Sequence, residues 1–212
     1  MSRFLVVCDV DSTLINDEVI ELLADVAGVR RLVADITERA MRGELDFAES
    51  LRERVATLAG LTEGVFAQVL ERITPTPGVQ ELIDAVHAAD GHLIAVSGGF
   101  HEILDPLARA WGLDWWTANR LESINGMVTG RTLGPVIDAS AKEQALRKYA
   151  NEHDIPLERT IAVGDGANDL KMMAAAGLSV AFCAKPIVAE QAIVSITERD
   201  LKQVIPLFGR LA

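Results

Sequence analysis

The 212-residue chain contains few cysteines and few aromatic residues. Its two cysteines, Cys8 and Cys183, are too few for a disulfide framework. Neither has the neighbouring cysteine or histidine ligands that a structural zinc site requires. We therefore expect both to be free thiols, as is usual for proteins of a reducing compartment.

Basic residues are also in short supply. The chain has 20 lysine and arginine residues against 31 aspartate and glutamate residues, which gives a formal net charge of −11. Such a charge repels nucleic acids and anionic lipids over most of the surface. We expect neither nucleic acid nor membrane as a partner, and a phosphate-bearing ligand would need a local positive site.

Long apolar runs are missing as well. The run that follows Arg3 extends only from Phe4 to Cys8, which is too short for the core of a signal peptide, and no stretch approaches a membrane span. We therefore expect a cytoplasmic protein. Hydrophobic residues still make up 50% of the chain, enough for one buried core and a small accessory unit.

The most informative segment is the short apolar run Phe4–Cys8, which ends in two acidic residues, Asp9 and Asp11. Five successive apolar side chains are typical of a strand that is buried on both faces of a parallel sheet. Ligand sites in such sheets lie beyond the carboxyl ends of the strands. If residues 9 and 11 stay extended, their carboxylates point the same way and require a cation between them.

Two further apolar runs end in polar, glycine-rich turns. His92–Val96 leads into Ser97–Gly99, and Thr160–Val163 leads into Gly164–Asp169. A fourth run follows at 178–183, and helical patterns separate the runs. This alternation predicts an α/β fold with a doubly wound, mainly parallel, Rossmann-like sheet, in which the polar turns share one edge.

A long stretch separates Thr13 from the strand that begins at His92, although a plain crossover needs only about a dozen residues. Helix signals occupy this stretch, with predicted helices over 19–26, from Asp46 to Leu58 and from Thr62 to Ile73. The sequence therefore predicts a helical-bundle cap at 16–75, inserted into a core domain formed by 1–15 and 76–212.

Further helices are expected at about 78–90, 101–111 and 140–153. Asn125-Gly126 predicts a hairpin at the edge of the sheet, and we expect no chemistry from it. Lys142 falls in the first turn of the last helix, where a cation is unfavourable toward the helix dipole. This unfavourable position suggests a functional role.

These residues include the groups that phosphoryl transfer to a carboxylate needs. Asp9 would attack phosphorus, and Asp11 would protonate the leaving oxygen and later activate water. Asp9, the backbone carbonyl of Asp11, and Asp165 would hold Mg²⁺. The groups expected to bind the phosphate, or to position ligands and waters around it, are Ser97, Gly98, Gly99, Lys142, Asn168 and Asp169.

Four segments together resemble, in order and spacing, the four motifs of the haloacid dehalogenase superfamily of phosphatases. They are Asp9–Thr13, Ser97–Gly99, Lys142 and Gly164–Asp169. The resemblance implies a helical cap over a doubly wound core. It also implies Mg²⁺-dependent hydrolysis of a phosphate monoester through an aspartyl-phosphate at Asp9.

Within this superfamily, the chain is similar over nearly its whole length to enzymes that release serine from O-phospho-L-serine, the last step of serine biosynthesis. The segments that carry the likeness are Asp9–Thr13, Val96–Phe100, Gly164–Asp169 and Ala181–Pro186. The likeness implies that Glu18 pairs with the substrate ammonium and Arg54 with its carboxylate. It also implies that Met41 and Phe47 shape the pocket around a small phosphorylated amino acid.

Two alternatives stay open. One is a phosphatase or phosphotransferase acting on another small phosphate, such as phosphohomoserine or phosphothreonine, because the core motifs do not separate these substrates. The other is a signalling receiver module, in which an aspartate also accepts phosphate beside acids, a hydroxyl and a lysine. A receiver, however, has no long helical insert after its first acids. The sequence is compatible with a monomer and with a homodimer.

Overall fold

The computed structural model describes residues 3–41 and 44–211, with Met41 described by its backbone alone. The described residues form one sheet of seven strands in the order β4-β3-β2-β1-β5-β6-β7. The strands are β1 Leu5–Cys8, β2 His92–Phe100, β3 Trp115–Ile124, β4 Met127–Leu133, β5 Thr160–Gly164, β6 Leu178–Phe182 and β7 Val194–Ile196. All neighbours pair in parallel except β3 and β4, which form an antiparallel hairpin at one edge.

Nine α-helices accompany the sheet in the described part of the chain. They are α1 Val19–Val26, α2 Arg30–Met41, α3 Phe47–Ala56, α4 Gly64–Leu70, α5 Val79–Ala88, α6 His101–Trp111, α7 Ala139–Glu152, α8 Leu170–Ala175 and α9 Pro186–Ala189. Short 3₁₀ segments lie at Leu157–Arg159 and Ala167–Asp169, and a longer one at Leu201–Arg210. None of these helices has the length and hydrophobicity that crossing a bilayer requires.

Strand β1 shows why the apolar runs form the centre of the sheet. Its side chains alternate between two buried clusters, with Val6 and Cys8 in the larger cluster and Leu5 and Val7 in the smaller. A strand covered on both faces needs apolar residues at every position, not at alternate ones. The mainly parallel sheet with helices on both faces confirms the predicted fold class.

Helices α1–α4 lie between β1 and β2, and we call them the insert. The chain enters the insert after Ile15 and returns at Pro75, where these two residues form an antiparallel bridge. The Asn16 N–H donates to the Thr74 carbonyl at 2.8 Å, and the Thr74 N–H donates to Asp17 Oδ2 at 2.7 Å. The two connecting segments are thus tied together, while the division into core and cap stays a prediction.

Local signals account for several helix ends. Asp46 caps α3 as expected: its side chain accepts from the Glu49 N–H at 2.8 Å, and Glu49 accepts from the Asp46 N–H at 3.0 Å. Helix α6 ends before Gly112, whose φ of 76° suits a residue without a side chain. The helices predicted at 78–90, 101–111 and 140–153 are α5, α6 and α7.

The sequence prediction omitted α2, α9 and β7, gave no bounds for α8, and ended β2 too early. Five of the twelve residues of α2 are charged, and the helix buries mainly Val33 and Ile36, so its apolar stripe is narrow. Strand β7 has only three residues. Strand β2 continues to Phe100 because Ser97–Gly99 form a bulge opposite β3, after which pairing resumes.

Candidate active site

The polar turns after β1, in β2 and after β5 meet at one edge of the sheet. Strand β1 pairs in parallel with both β2 and β5, so the carboxyl ends of all three strands lie side by side. A cavity of about 530 Å³ opens there, between this edge and the insert. Of the predicted site residues, those that line it are Asp9, Asp11, Glu18, Phe47, Arg54, Gly98, Gly99, Asp165 and Asn168.

The turn after β1 presents Asp9 and Asp11 to the cavity. Both residues have extended backbones, with φ and ψ of −66° and 167° at Asp9 and of −61° and 132° at Asp11. Ser12 then reverses the chain with a φ of 57°. Asp9 Oδ1 accepts hydrogen bonds from the Val10 N–H and from Lys142 Nζ, both at 2.7 Å. Its Oδ2 atom is left as the oxygen available to an electrophile.

Lys142 lies behind the cavity wall with no exposed surface. Its ammonium is 2.7 Å from Asp9 Oδ1 and 2.7 Å from Asp169 Oδ1. Burial disfavours the charged ammonium, but the carboxylates of Asp169 and Asp9 outweigh this effect and raise the pKa of Lys142 above its usual range. The first turn of α7 therefore holds a permanent cation, stabilised by two acids instead of by the helix dipole.

Three carboxylates form a cluster of the kind that holds a divalent cation. One oxygen from each of Asp9, Asp165 and Asp169 lies within 4.8 Å of the others. Asp165 Oδ1 accepts from the Thr13 hydroxyl at 3.2 Å. Asp169 uses both its oxygens internally, accepting from Lys142 and, at 3.1 Å, from the Gly166 N–H. Hard oxygen ligands fit Mg²⁺, and Asp9 and Asp165 are better placed to supply them than Asp169.

The raised pKa values of these carboxyl groups show that nearby positive charge compensates little of the negative charge of the cluster. Burial, followed by Asp169, raises the pKa of Asp9 well above its usual range, although Lys142 opposes the rise. Burial, together with Asp169 and Glu18, raises the pKa of Asp165 to about 6. Carboxylates that resist ionisation for lack of positive charge are what a cation site requires, so the donor set fits the expected ion.

The side chain of Asp11 does not belong to this carboxylate cluster, although Asp11 lies in the same turn as Asp9. Its Oδ2 accepts from the Val19 N–H at the start of α1, at 3.2 Å. Among the described residues, Asp11 Oδ1 is the one buried side-chain nitrogen or oxygen atom that has no hydrogen-bond partner. Burial, and then the charge of Glu18, raises the pKa of Asp11 to about 8. Asp11 lines the cavity, and a protonated carboxyl there suits a general acid.

The Ser97–Gly99 bulge places a hydroxyl and two glycines beside the acids. The Ser97 Oγ atom is buried and accepts from the Gly99 N–H at 2.8 Å, so its own proton is free for another acceptor. We expected the N–H groups of both glycines to face the phosphate, but the structure turns that of Gly99 onto Ser97. A Cβ atom at residue 99 would lie 3.0 Å from Ser97 Oγ and 3.2 Å from Asp11 Oδ1, both tighter than ordinary contacts, so a larger residue would push against both polar groups.

The insert supplies the opposite wall. Ser12 Oγ donates to Glu18 Oε1 at 2.7 Å, which fixes this carboxylate at the cavity mouth. Arg54 Nε donates to the Ser50 carbonyl at 3.2 Å, leaving the two terminal nitrogens of the guanidinium for a ligand. Burial lowers the pKa of Arg54, and Glu18 partly offsets this effect. Phe47 lines the cavity, whereas the side chain of Met41 lies outside the described residues.

Ser12 and Thr13 contribute to the site although the sequence reasoning gave them no role. Each lies in the turn after β1, and each hydroxyl orients an acid of the site, Glu18 in one case and Asp165 in the other. Hydroxyl residues directly after the paired acids were the available signal, but their partners lie on other segments and could not be read from the sequence.

Comparison with known proteins agrees with this geometry. Residues 6–174 match the haloacid dehalogenase-like hydrolases, and the chain belongs to this family and is a hydrolase. It is 52% identical over 207 residues to the phosphoserine phosphatase of Streptococcus thermophilus, covering 98% of this chain and 96% of that protein.

Two solved structures are similar in fold and sequence. A phospho-aspartyl intermediate analogue of phosphoserine phosphatase superposes with a TM-score of 0.91 at 42% identity, covering 97% of this chain and 99% of that chain. A substrate-bound phosphoserine phosphatase complex gives a TM-score of 0.92 at 42% identity, covering 97% and 98%. This chain is thus similar over nearly its full length to phosphatases of one substrate class.

The buried position of Lys142 leads to a stability prediction. Lys142→Met removes the cation between Asp9 and Asp169 and should lower the free energy of unfolding by about 3 kcal/mol at neutral pH, because two buried carboxylates lose their partner. Lys148→Met, on the exposed side of the same helix, is the matched control and should change it by less than about 0.5 kcal/mol. Urea denaturation measures both. Equal effects would contradict the stabilising role of Lys142.

Proposed function

We propose that the chain is a phosphoserine phosphatase, which hydrolyses O-phospho-L-serine to L-serine and phosphate. The observation that carries the proposal is one cavity with Asp9 and Asp11 on the sheet side and Glu18 and Arg54 on the insert side. The first pair supplies the chemistry of phosphate transfer, and the second matches the two charges of an amino acid. The similarity to phosphoserine phosphatases supports the same substrate.

In the first step, Asp9 Oδ2 attacks phosphorus and the bond between phosphorus and the serine oxygen breaks. Asp11 donates its proton to that oxygen, so serine leaves as a neutral alcohol. In the second step, a water molecule attacks the phosphorus of the aspartyl-phosphate, and the Asp11 carboxylate takes a proton from that water. Phosphate is released and both acids return to their starting states.

The surrounding groups hold the phosphate during both steps. Lys142 lies against Asp9 and provides a fixed positive charge beside the reacting oxygen. The free Ser97 proton and the Gly98 N–H are donors for the phosphate oxygens. Asn168 lines the same cavity and positions ligands and waters, while Asp169 acts through its bonds to Lys142 and Gly166.

Mg²⁺ is the cofactor that we propose for this site. Asp9, Asp165 and the backbone carbonyl of Asp11 would hold it, and Thr13 would orient Asp165. When bound, Mg²⁺ offsets the repulsion between the acids and the phosphate.

The insert would act as a cap that selects the substrate, with the core formed by 1–15 and 76–212 and the cap by 16–75. The guanidinium of Arg54 can hold a carboxylate through two parallel hydrogen bonds, and Glu18 can hold an ammonium. Phe47 and Met41 would limit the space around the serine carbons.

The free cysteines Cys8 and Cys183 support a location in the cytoplasm, where thiols stay reduced.

A substrate panel tests the proposed function. We expect kcat/KM for O-phospho-L-serine to exceed that for phosphothreonine, phosphohomoserine and sugar phosphates by about tenfold or more, the usual cost of one misplaced methyl or methylene group. A chelator should abolish phosphate release and added Mg²⁺ should restore it. Equal kcat/KM for every member of the panel would contradict the proposed substrate. Full activity in the presence of the chelator would contradict the proposed need for Mg²⁺.

Asp9→Asn tests the nucleophile. Turnover should fall to less than about one thousandth, because an amide is a poor nucleophile and a poor metal ligand. Acid quenching during turnover should recover phosphate bound to the unmodified chain but not to this variant. Asp154→Asn, at an exposed position where asparagine tolerates the positive φ of 54°, is the control and should keep full activity. Substantial turnover by Asp9→Asn would refute the assignment.

Arg54→Ala tests how the substrate carboxylate is recognised. KM for O-phospho-L-serine should rise about thirtyfold, since a charged hydrogen-bonding partner is lost. Phosphoethanolamine, which carries the ammonium but no carboxylate, should be hydrolysed equally well by both proteins. Arg52→Ala, on the exposed side of the same helix, controls for effects on α3. If KM rose by the same factor for both substrates, Arg54 would not recognise the carboxylate.

A further inference from the structure

Asn119, on β3, is a buried polar residue that no part of the proposed reaction uses. Only 2% of its surface is exposed. Its Nδ2 donates to the Gly98 carbonyl at 2.8 Å, and its Oδ1 accepts from the Ile137 N–H at 2.9 Å. A carbonyl on one side and an N–H on the other allow the amide one orientation only. The side chain therefore joins two segments that are far apart in the sequence.

The first of these segments is the Ser97–Gly99 bulge. Because three residues of β2 lie opposite Ala118 of β3 there, the Gly98 carbonyl leaves the ladder of the sheet, and Asn119 provides its partner. The same planar peptide carries the Gly99 N–H, which donates to Ser97 Oγ. Asn119 thus fixes one end of a peptide whose other end orients the Ser97 hydroxyl.

The second segment is the approach to α7. Ile137 directly precedes Asp138, whose side chain caps α7 by accepting from the Ala141 N–H at 2.8 Å. The Asp138 carbonyl accepts from the Lys142 N–H at 2.9 Å. The bond from Ile137 to Asn119 therefore fixes where α7 begins, and with it the position of Lys142 in the first turn.

We propose that Asn119 is a positioning residue, whose amide sets the distance between the Ser97 hydroxyl and the Lys142 ammonium at the phosphate site. The proposal rests on the proposed function in that these two groups are taken to bind phosphate. Asn119, Ser97 and Lys142 are all buried and are not among the residues that line the cavity. Ser97 and Lys142 directly contact the lining residues Gly99 and Asp9, so Asn119 would act through them. Its effect should be confined to the phosphate half of the substrate, because Glu18 and Arg54 are held by other contacts.

The test compares the binding of inorganic phosphate and of L-serine, each measured by calorimetry with Mg²⁺ present. Asn119→Ala should raise the dissociation constant for phosphate about tenfold, as expected when a buried hydrogen-bonding pair is lost, and leave that for L-serine within about twofold. Asn119→Asp keeps the acceptor for Ile137 but places an oxygen against the Gly98 carbonyl. It should weaken phosphate binding at least as much.

Leu121→Ala is the matched control, since Leu121 is buried on the same strand but contacts the hydrophobic core. It should lower the melting temperature without changing the ratio of the two dissociation constants. The proposal would be overturned if Asn119→Ala left the dissociation constant for phosphate unchanged. It would also be overturned if the variant raised the dissociation constants for phosphate and L-serine by the same factor.

Turnover of O-phospho-L-serine by the unmodified chain is measured separately. A phosphate-selective loss in Asn119→Ala supports the role of Asn119 even if this turnover is absent, in which case the proposed substrate alone is refuted. Normal turnover with no selective loss refutes the role of Asn119 and leaves the proposed function intact.

Discussion

The interaction on which the rest of the site depends is the contact of one buried ammonium with two carboxylates. Lys142 lies 2.7 Å from both Asp9 and Asp169, and none of its surface is exposed. Without this cation, the acids at the edge of the sheet would repel one another in a medium that solvates charge poorly. Even with it, the pKa of Asp9 stays well above its usual range. The remaining deficit of positive charge leaves room for a divalent ion and an anionic substrate.

The fold meets this requirement by bringing separate segments to one edge. Strands β1 and β5 end side by side, which places Asp9 next to Asp165, and α7 brings Lys142 from behind. The insert closes the other side and is tied to the acids through the bond from the Val19 N–H to Asp11 and that from Ser12 to Glu18. Glu18 and Arg54, which we propose to select the substrate, lie on the insert, and Ser12 in the turn after β1 bonds Glu18. The proposed chemistry and the proposed selection are therefore linked through this turn.

Much of this arrangement could be predicted from the sequence. Apolar runs that end in Asp9 and before Asp165 predicted parallel strands with a common edge, because buried strands need apolar residues at every position. The insert was indicated by the length of chain between two strands that had to be neighbours. Helix α2 escaped prediction because its buried stripe is narrow. The Gly99 N–H was expected at the phosphate and instead bonds Ser97, since no sequence pattern specifies how a bulge turns its peptides. Asn119 gave no signal because both its partners lie far from it along the chain.

The account as a whole depends on Asp9 and Asp165 holding the same cation beside the reacting oxygen. A crystal structure of the chain grown with Mg²⁺ and beryllofluoride, which mimics a phosphoryl group on a carboxylate, tests this most directly. We expect beryllium bonded to Asp9 Oδ2, and a single cation about 2.1 Å from oxygens of Asp9 and Asp165. A cation bound elsewhere, or an adduct on a residue other than Asp9, would contradict the account.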